Sequence, residues 1–467
     1  MQIPVLNGIY TDENSDFRTS YPHNLVPVPK TTGISSGYLR PAEGIVDFGD
    51  AGQGICRGGI NWDGICYRIS GTKLISISRA GVVTVIGDVG GLRDQVTFDY
   101  SFDYLGITSG SNFYLYDGAT LTQQTDPDLG TVLDHVWIDG YFMTTDGENL
   151  VVTELGDPFS VNPLKYGSSE VDPDNIKALL ELRNEIYAIN RYSIEVFSNV
   201  GGPGFPFQVI DGAQIQRGTI GTHTCCTFLD GIAFIGGGRN EPVAVWLAAG
   251  GGDVLVSVRE IDQILQSYDE DDLSLALVET RTHLSHQHLY IHLPDQTLVY
   301  DAEASKATGE QVWFTLGSGL NEQSKYLARN FVWCYDRWLV GSPDSSDLGY
   351  LSNEVSSHWG QEVGWEFATS IIYNNGTDAI VHELELVCLS GRAALGDDST
   401  IWTSYSFDGE TWSVEKGIQA GKQGQRTKRL AWLGQGHIDH WRIQKFRGTS
   451  KSRLSMARLE ARMEQLS

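Results

Sequence analysis

Short apolar segments alternate with polar turns along most of the chain, which favours strands rather than helices. The segment CRGGINWDGICYRISGTKLISIS, residues 56–78, shows the repeating unit most clearly: two apolar arms flank Asp63-Gly64, and a third strand follows Gly71. An Asp-Gly pair supplies the positive φ angles that a short hairpin turn needs. The pattern therefore predicts a strand–turn–strand–loop–strand unit.

The same unit recurs along the chain. Its turn positions are 63, 103, 139, 184, 230, 287 and 336. The middle strands are apolar, as in Ile186 to Ile189, which is typical of strands buried on both faces. A period of about 40–50 residues with three or four strands per unit indicates propeller blades. We therefore predict an all-β fold with a β-propeller of six or seven blades over residues 46–352, since seven repeats can be counted.

Three regions depart from the repeat. Helical spacing is shared by Ile261, Ile264, Leu265 and Tyr268. This spacing predicts a helical insertion near residues 259–272. Beyond about residue 352 the period stops and Asn375-Gly376 signals a hairpin, so we predict an additional C-terminal antiparallel β-sandwich-like domain over residues 353–467 that ends in a strand. Residues 1–45 are expected to form an extended N-terminal segment that makes an assembly contact.

Composition narrows the class of protein. A chain of 467 residues exceeds an ordinary single domain unless the fold is a closed repeat. It contains no apolar run of 18 residues and no basic start followed by an apolar stretch, so we expect neither a membrane helix nor a signal peptide. The six cysteines include no CxxC pair, which predicts free thiols rather than a zinc site or a disulfide framework.

Charge is distributed unevenly. The net charge is −26, but residues 401–467 contain 12 basic and 6 acidic residues, so the first 400 residues carry −32. An acidic body disfavours nucleic-acid binding as the main activity. The C-terminal cations could instead face acid on a neighbouring protein, or they could form a solvated rim. The candidate assembly residues are Lys422, Arg426, Lys428, Arg429, Arg442, Lys445 and Arg447.

Motifs that suggest chemistry have simpler structural interpretations. Gly33 to Gly37 matches GxSxG, but no βα alternation surrounds it, so we interpret it as a turn. The segment from Ser406 to Trp412 is close to an Asp-box and is also expected to be a turn. The acidic run 269–272 lacks the spacing of an EF-hand, which favours a solvated helix end. We predict no catalytic residue and no cofactor.

Four histidines, at positions 283, 286, 288 and 292, lie within ten residues and could suggest a metal cluster. A metal site usually also needs a carboxylate ligand and a second shell. We favour polar or partly buried strand histidines and predict no metal, although the sequence leaves the choice open.

Five collinear segments carry a family resemblance. They are NLVPVPK (24–30), SSGYLRPAEGI (35–45), IQRGTIGTH (215–223), IDQILQSYDEDDL (261–273) and LYIHLPDQTLVYDAEAS (289–305). In this order and spacing the chain resembles the packaged-DNA stabilisation proteins, or tail-hub (nozzle) proteins, of short-tailed bacteriophages. The resemblance extends from the N-terminus to at least residue 305, and the overall length agrees with the family.

The resemblance implies a structural virion protein, made in the host cytoplasm and located in the tail. Copies are expected to form a ring, a homohexamer, below the head–tail adaptor. The ring would close the channel, retain packaged DNA, and carry a tailspike or fibre and a needle or plug. DNA would pass without sequence-specific binding, and an acidic lumen would prevent it from adhering.

Two other functions remain as alternatives. A glycan-binding or glycan-cleaving virion propeller would need carboxylates near the propeller axis. A cellular interaction propeller would be expected to carry recurrent GH…WD signatures, which this sequence lacks. We therefore favour a structural tail hub that is not an enzyme.

Overall fold

The computed structural model describes all residues except Asn7, 12–16, 31–34, Val171, 322–323, Asp398 and Ser467, and for residues 9–11 it describes the backbone alone. The chain opens with six strands: β1 (Gln2–Ile3), β2 (Gly8–Thr11), β3 (Phe17–Ser20), β4 (Leu25–Pro29), β5 (Gly37–Pro41) and β6 (Gly44–Asp50). Only β2 and β3 form a separate hairpin, because the other four join sheets built by later parts of the chain.

Four antiparallel blades follow, each with its strands in chain order. Blade 1 contains β7 (Cys56–Trp62), β8 (Ile65–Ser70), β9 (Lys73–Ile77) and β10 (Val83–Asp88). Blade 2 contains β11 (Thr97–Tyr100), β12 (Leu105–Ser109), β13 (Asn112–Tyr116) and β14 (Leu121–Gln123). Blade 3 contains β15 (Asp134–Ile138), β16 (Tyr141–Thr145), β17 (Asn149–Glu154) and β18 (Asp157–Ser168). Blade 4 contains β19 (Ile176–Leu182), β20 (Glu185–Asn190), β21 (Ile194–Asn199) and β22 (Phe207–Val209).

Three further blades complete the ring. Blade 5 contains β23 (Gly218–Thr219), β24 (Cys225–Phe228), β25 (Gly231–Gly237), β26 (Ala244–Ala249) and β27 (Gly252–Leu255), and helices α1 (Arg259–Gln266) and α2 (Glu270–Ser274) follow it. Blade 6 contains β28 (Leu277–His283), β29 (His286–His292), β30 (Thr297–Asp301) and β31 (Trp313–Leu316), with helix α3 (Ala302–Thr308) before the last strand. Blade 7 contains β32 (Arg329–Cys334), β33 (Arg337–Gly341) and β34 (Asp347–Ser352).

The N-terminal strand β6 closes the ring. It pairs antiparallel with β34 and so becomes the outer strand of blade 7. Each pair of neighbouring blades shares a cluster of buried apolar side chains, including blades 7 and 1, whose cluster contains Val332, Leu339 and Ile75. Because one blade cannot bury both of its faces alone, this continuous side-to-side packing stabilises the propeller. The predicted β-propeller is confirmed, and within the described residues it has seven blades.

The predicted turns agree with the structure at six of seven positions. Asp63 and Gly64, for example, have φ angles of 50° and 76° between β7 and β8. The prediction at Gln287 is wrong, because the turn of blade 6 lies at Leu284 and Ser285, which have φ angles of 48° and 69°. A Leu-Ser pair lacks the Asp-Gly or Asn-Gly signal of a short hairpin turn, so the sequence did not reveal the tip.

The C-terminal strands form a sandwich with a shared core. They are β35 (Gly364–Ala368), β36 (Ile372–Tyr373), β37 (Ala379–Leu389), β38 (Thr400–Ser406), β39 (Lys416–Gln419), β40 (Leu430–Leu433), β41 (His437–Ile438), β42 (Trp441–Thr449) and β43 (Ser455–Gln465). One sheet has the order β4-β5-β43-β37-β40, and the other has the order β35-β42-β38-β39. Side chains of both sheets, such as Leu459 and Phe446, pack in one cluster. The predicted sandwich and its terminal strand are confirmed.

Three strands of the N-terminal segment are tied into this sandwich. Strands β4 and β5 extend one of its sheets, and β1 pairs with β43, where Gln2 lies opposite Glu460. The expected hairpin at Asn375-Gly376 is wrong: the turn forms, with φ angles of 52° and 73°, but β36 pairs with β42 and β37 pairs with β43. The local turn signal was correct, but the two flanking strands belong to different sheets.

Candidate assembly surfaces

Four of the seven candidate cations lie on the loop between β39 and β40: Lys422, Arg426, Lys428 and Arg429. Lys422 and Arg426 are exposed and Lys428 is half-buried. The loop is anchored to its neighbour at 390–391, because Ser390 Oγ donates to the carbonyl oxygen of Gln425 at 3.0 Å and Gly424 N donates to Gly391 O at 3.1 Å. Among the described residues Lys422, Arg426 and Lys428 form no ion pair, so their charge is available to a partner.

Three of the candidate cations, in contrast, are paired within the sandwich. Arg429 Nη2 lies 2.9 Å from Glu383 Oε1 and also contacts Glu385. The remaining two pairs are Lys445 with Glu366 at 2.9 Å and Arg447 with Glu415 at 2.6 Å. These contacts neutralise the charges locally, which makes these three residues weaker candidates for an interface than the three unpaired loop cations.

Arg442 corrects the sequence-based set, because it is only 1% exposed. Its guanidinium donates to the Oε1 atom of Gln444 and to the carbonyl oxygens of Gln435 and His437, and it lies over the ring of Tyr405 at 3.9 Å. Burial lowers the pKa of Arg442 to about 10. A count of charges along the sequence could not show that this cation organises the interior of the sandwich.

The structure brings together a second group of cations that the sequence analysis did not connect. Lys30, Arg40, Arg392 and Arg453 line a cleft of about 630 Å³ beside the β4–β5 hairpin. The pairing of β5 with β43 and of β43 with β37 brings these distant parts of the chain together. No local pattern could have indicated this cluster.

The histidine-rich strand belongs to a buried hydrogen-bonded network. Ligating atoms of His286, His288 and Asp301 lie within 4.8 Å of one another. Arg281 donates to the Tyr290 hydroxyl oxygen at 2.8 and 3.1 Å, which leaves the hydroxyl hydrogen for His288 Nδ1, 3.5 Å away. His288 Nε2 then donates to Asp301 Oδ2 at 3.2 Å, so its lone pair is not free for a metal. The absence of a metal therefore stays a prediction, and this hydrogen-bonded arrangement is its basis.

Chelator and reductant are therefore expected to leave the melting temperature unchanged within about 5 °C. The network needs no ion, and the six cysteines are free. Differential scanning calorimetry with EDTA, and separately with a thiol reductant, measures this. A larger fall with EDTA that zinc reverses would establish a metal site at the histidines and contradict the prediction.

Where the structure describes them, the motifs that resembled catalytic sites have structural roles. Ser35 precedes strand β5 of an antiparallel sheet, whereas the elbow of a GxSxG hydrolase needs a turn into a helix; Gly33 and Ile34 lie outside the described residues. Asp408 Oδ1 accepts the Thr411 N–H at 2.8 Å, which closes the Asp-box turn. The acidic run 269–272 begins α2, with Asp269 as its N-cap.

The mouth of the propeller axis forms a cavity of about 750 Å³ with mixed charge. It is lined by residues that include Arg93, Asp94, Lys325 and Asp344. Lys325 pairs with Asp344 at 2.5 Å.

Carboxylates of the inner strands bind the backbone of the next blade. Asp134 Oδ2 accepts the Leu179 N–H at 2.8 Å, and Glu279 accepts the N–H groups of Asn330 and Phe331 at 3.0 and 2.8 Å. These contacts place both carboxylates in junctions between blades.

None of the helices within the described ranges has the length and apolar character needed to cross a membrane.

Comparisons with known proteins identify the family. A model described as "Bacteriophage P22 Gp10, beta-propeller" matches residues 1–356, and one described as "Bacteriophage P22 Gp10, beta-sandwich" matches residues 364–464. The tail hub protein gp10 of Salmonella phage P22 is 27% identical over 99% of each chain.

Similar solved structures include the WD40 domain of Neurospora crassa Pan2 and the N-terminal domain of Nup159. They are 11% and 7% identical, cover 66% and 70% of this chain and 94% and 97% of their own, and both have a TM-score of 0.42. The family models, in contrast, match both domains in order, and the chain therefore belongs to the bacteriophage P22 Gp10 family of tail hub proteins.

Proposed function

We propose that this chain forms a hexameric ring below the head–tail adaptor, and that the ring is completed on the virion rather than by the isolated protein. The ring closes the channel, retains packaged DNA, and carries a tailspike or fibre and a needle or plug. The full-length match to a tail hub protein carries the proposal, since it includes both domains. The alternative of a glycan-active propeller has no support among the relatives, and we propose that the chain is not an enzyme.

The proposed division of the chain assigns residues 46–352 to the propeller and 353–467 to the sandwich. Residues 1–45 act as a strap rather than a free arm: β4 and β5 extend a sheet of the sandwich, and the chain then enters β6 of blade 7. The strap supports a hub in which the propeller and the sandwich keep a fixed relative position while partner proteins join the tail.

Negative-stain images of the purified protein, mixed with its portal and adaptor, test the ring directly. We expect a monomer or weak oligomer alone, because like-charged bodies repel, and sixfold rings on the template. Particles that remain monomeric on the template would contradict the proposal.

The exposed loop cations offer a test of attachment. The triple variant Lys422→Glu, Arg426→Glu, Lys428→Glu is expected to abolish attachment to DNA-filled heads, because the loop loses all of its unpaired positive charge. Pelleting of heads with bound hub measures attachment. Circular dichroism should show an unchanged fold, since these side chains form no internal ion pair.

A matched control makes the same change in net charge on the propeller. Arg93, Arg183 and Lys306 are exposed cations, and reversing them to Glu is expected to leave attachment intact. Normal attachment of the loop variant, or equal loss in the control, would show that the loop is only a solvated rim.

A further inference from the structure

The cleft beside the β4–β5 hairpin concentrates positive charge on an acidic protein. Lys30 and Arg392 are exposed at the cleft, and Arg40 and Arg453 are half-buried in it. The lining residues that the structure describes include no carboxylate. Glu43 and Glu354 act on Arg40 and Arg453 only from outside this lining, and Glu43 is itself paired with Arg281.

Uncharged groups hold the two arginines in place. Arg453 donates to the carbonyl oxygens of Asn353 and Glu354, and Arg40 Nη1 donates to Asn353 Oδ1 at 3.3 Å. Carbonyl and amide oxygens orient a guanidinium without cancelling its charge. Burial, and then the charge of Arg392, lower the pKa of Arg453, as expected for cations held close together.

The rim of the cleft is apolar. Leu284, at the tip of blade 6, is 67% exposed, and Leu389, at the end of β37, is 59% exposed. Arginine beside exposed apolar side chains is typical of protein interfaces. A phosphodiester backbone would use the cations but not the leucines, so the cleft favours an acidic and apolar protein surface over nucleic acid.

The same chain exposes a surface of matching character on blade 3. Asp128 and Asp157 are exposed there, as are Leu164 and Tyr166, which are 82% and 61% exposed. The register of β18 jumps from Val161 to Tyr166, so residues 162–165 project from the outer edge of the blade. We name this surface, formed by 126–128 and 157–166, the blade 3 edge.

Its two segments form one unit. Gln124 Nε2 donates to the carbonyl oxygen of Pro158 at 2.9 Å, and Val161 N donates to Asp126 Oδ2 at 3.1 Å. The loop and the strand are thus joined, and their acidic and apolar groups share a surface. An exposed apolar group rimmed by charge is a feature of interaction sites.

The blade 3 edge and the cleft cannot meet within one molecule. Blade 3 is three blades away from blade 6 in one direction and three from blade 7 in the other, and the cleft lies against blades 6 and 7. Two different patches that pair between copies make a heterologous contact, which closes into a ring if the rotation allows. We propose that the blade 3 edge of one copy docks in the basic cleft of the next, an inference that rests on the proposed ring.

Cysteine crosslinking tests the contact in the full chain. The double variant Leu164→Cys, Leu284→Cys, assembled on portal–adaptor templates and treated with a short bismaleimide, is expected to give a ladder of linked copies. The control Leu92→Cys, Leu284→Cys uses a leucine that is 79% exposed outside the blade 3 edge and is expected to give none. The native cysteines are buried or half-buried.

Charge reversal adds a second readout. Lys30→Glu with Arg392→Glu is expected to reduce the yield of linked copies about fivefold, and Asp128→Lys with Asp157→Lys is expected to restore it in the combined variant. Reduced yield with recovery supports a direct charge pairing between the two surfaces. Loss without recovery would contradict that pairing.

The outcomes separate this inference from the proposed function. Sixfold rings without a ladder would overturn the contact and leave the tail hub intact, whereas an absence of rings in the wild-type protein would overturn both.

Titration with a fluorescent oligonucleotide tests whether the cleft binds nucleic acid instead of a neighbouring copy. Binding that is lost in the Lys30→Glu, Arg392→Glu variant would assign the cleft to nucleic acid and overturn the proposed contact.

Discussion

Replacing Arg281 by Met is expected to lower the free energy of unfolding by about 3–5 kcal/mol, because the change leaves a buried carboxylate without its main partner. Arg281 and Glu43 form an ion pair in which their side chains are 4% and 9% exposed. Burial raises the pKa of Glu43, but the charge of Arg281, followed by those of His283 and Arg40, outweighs burial and lowers it. Glu43 is therefore ionised at neutral pH.

The position of this pair explains the size of the expected effect. Glu43 lies between β5 of the sandwich and β6 of blade 7, and Arg281 belongs to the inner strand of blade 6. The ion pair thus fixes the point where the N-terminal strap enters the ring. Urea unfolding followed by tryptophan fluorescence measures the loss.

Two further variants make the test specific. The double variant Glu43→Gln, Arg281→Met should recover most of the stability, because it removes the unpaired charge. Arg79→Met breaks an exposed pair with Asp336 and should cost less than about 1 kcal/mol. A single variant as stable as wild type, or a double variant no better than the single, would contradict the account.

The sequence predicted the blades because their signals are local. An Asp-Gly or Asn tip requires a positive φ wherever it occurs, and Asp63, Asp139 and Asn184 all have one. The closure of the ring by β6 had no such signal, because Ile45 pairs with Leu351 across about three hundred residues. A repeat in the sequence reveals each blade, whereas the pairing partner of an edge strand is set only when the whole ring is assembled.

The candidate interface shows the same division between local and long-range information. The charge count included Lys422 and Arg426, which are exposed, but it also included Arg442, whose neighbours make it an internal residue. The side chains of β42 point alternately to the two faces of the strand, as its sequence indicates. The sequence does not show that one of these faces buries a polar network of Arg442, Gln444 and Thr403. Side-chain charge is visible in a sequence, but burial is a property of the fold.

The two buried carboxyl groups at the blade junctions are expected to contribute less to the stability of the propeller as the pH rises from about 4 to about 7, whereas buried histidines such as His135 and His223, whose pKa values burial lowers, contribute with the opposite sign. Burial raises the pKa of Asp134 to about 7 and that of Asp99 to about 6. Across this range both carboxyl groups release their protons in the unfolded chain and retain them in the folded chain, so their contribution to the free energy of unfolding decreases with pH. Glu43, with its lowered pKa, acts oppositely and loses its contribution as the pH falls further into the acid range.

Asp134→Asn isolates the largest of these contributions. Asp134 Oδ1 accepts the Thr97 hydroxyl at 2.7 Å and Oδ2 accepts the Leu179 N–H at 2.8 Å. An asparagine can accept the Leu179 N–H and donate to the Thr97 hydroxyl oxygen, so it replaces the protonated acid without a charge. At pH 8 the variant should be more stable than wild type by up to about 4 kcal/mol, and at pH 4 the two should be nearly equal.

Melting temperatures of both proteins at intervals from pH 4 to pH 9 measure the difference. The exposed Asp103 at the tip of blade 2 provides the matched control, since Asp103→Asn makes the same chemical change in solvent. Its profile should parallel that of wild type, whereas the stability of Asp134→Asn relative to wild type should increase steadily from pH 4 to pH 8. A parallel profile for Asp134→Asn, or lower stability than wild type at pH 8, would show that Asp134 is ionised in the folded protein and that its charge stabilises the junction of blades 3 and 4.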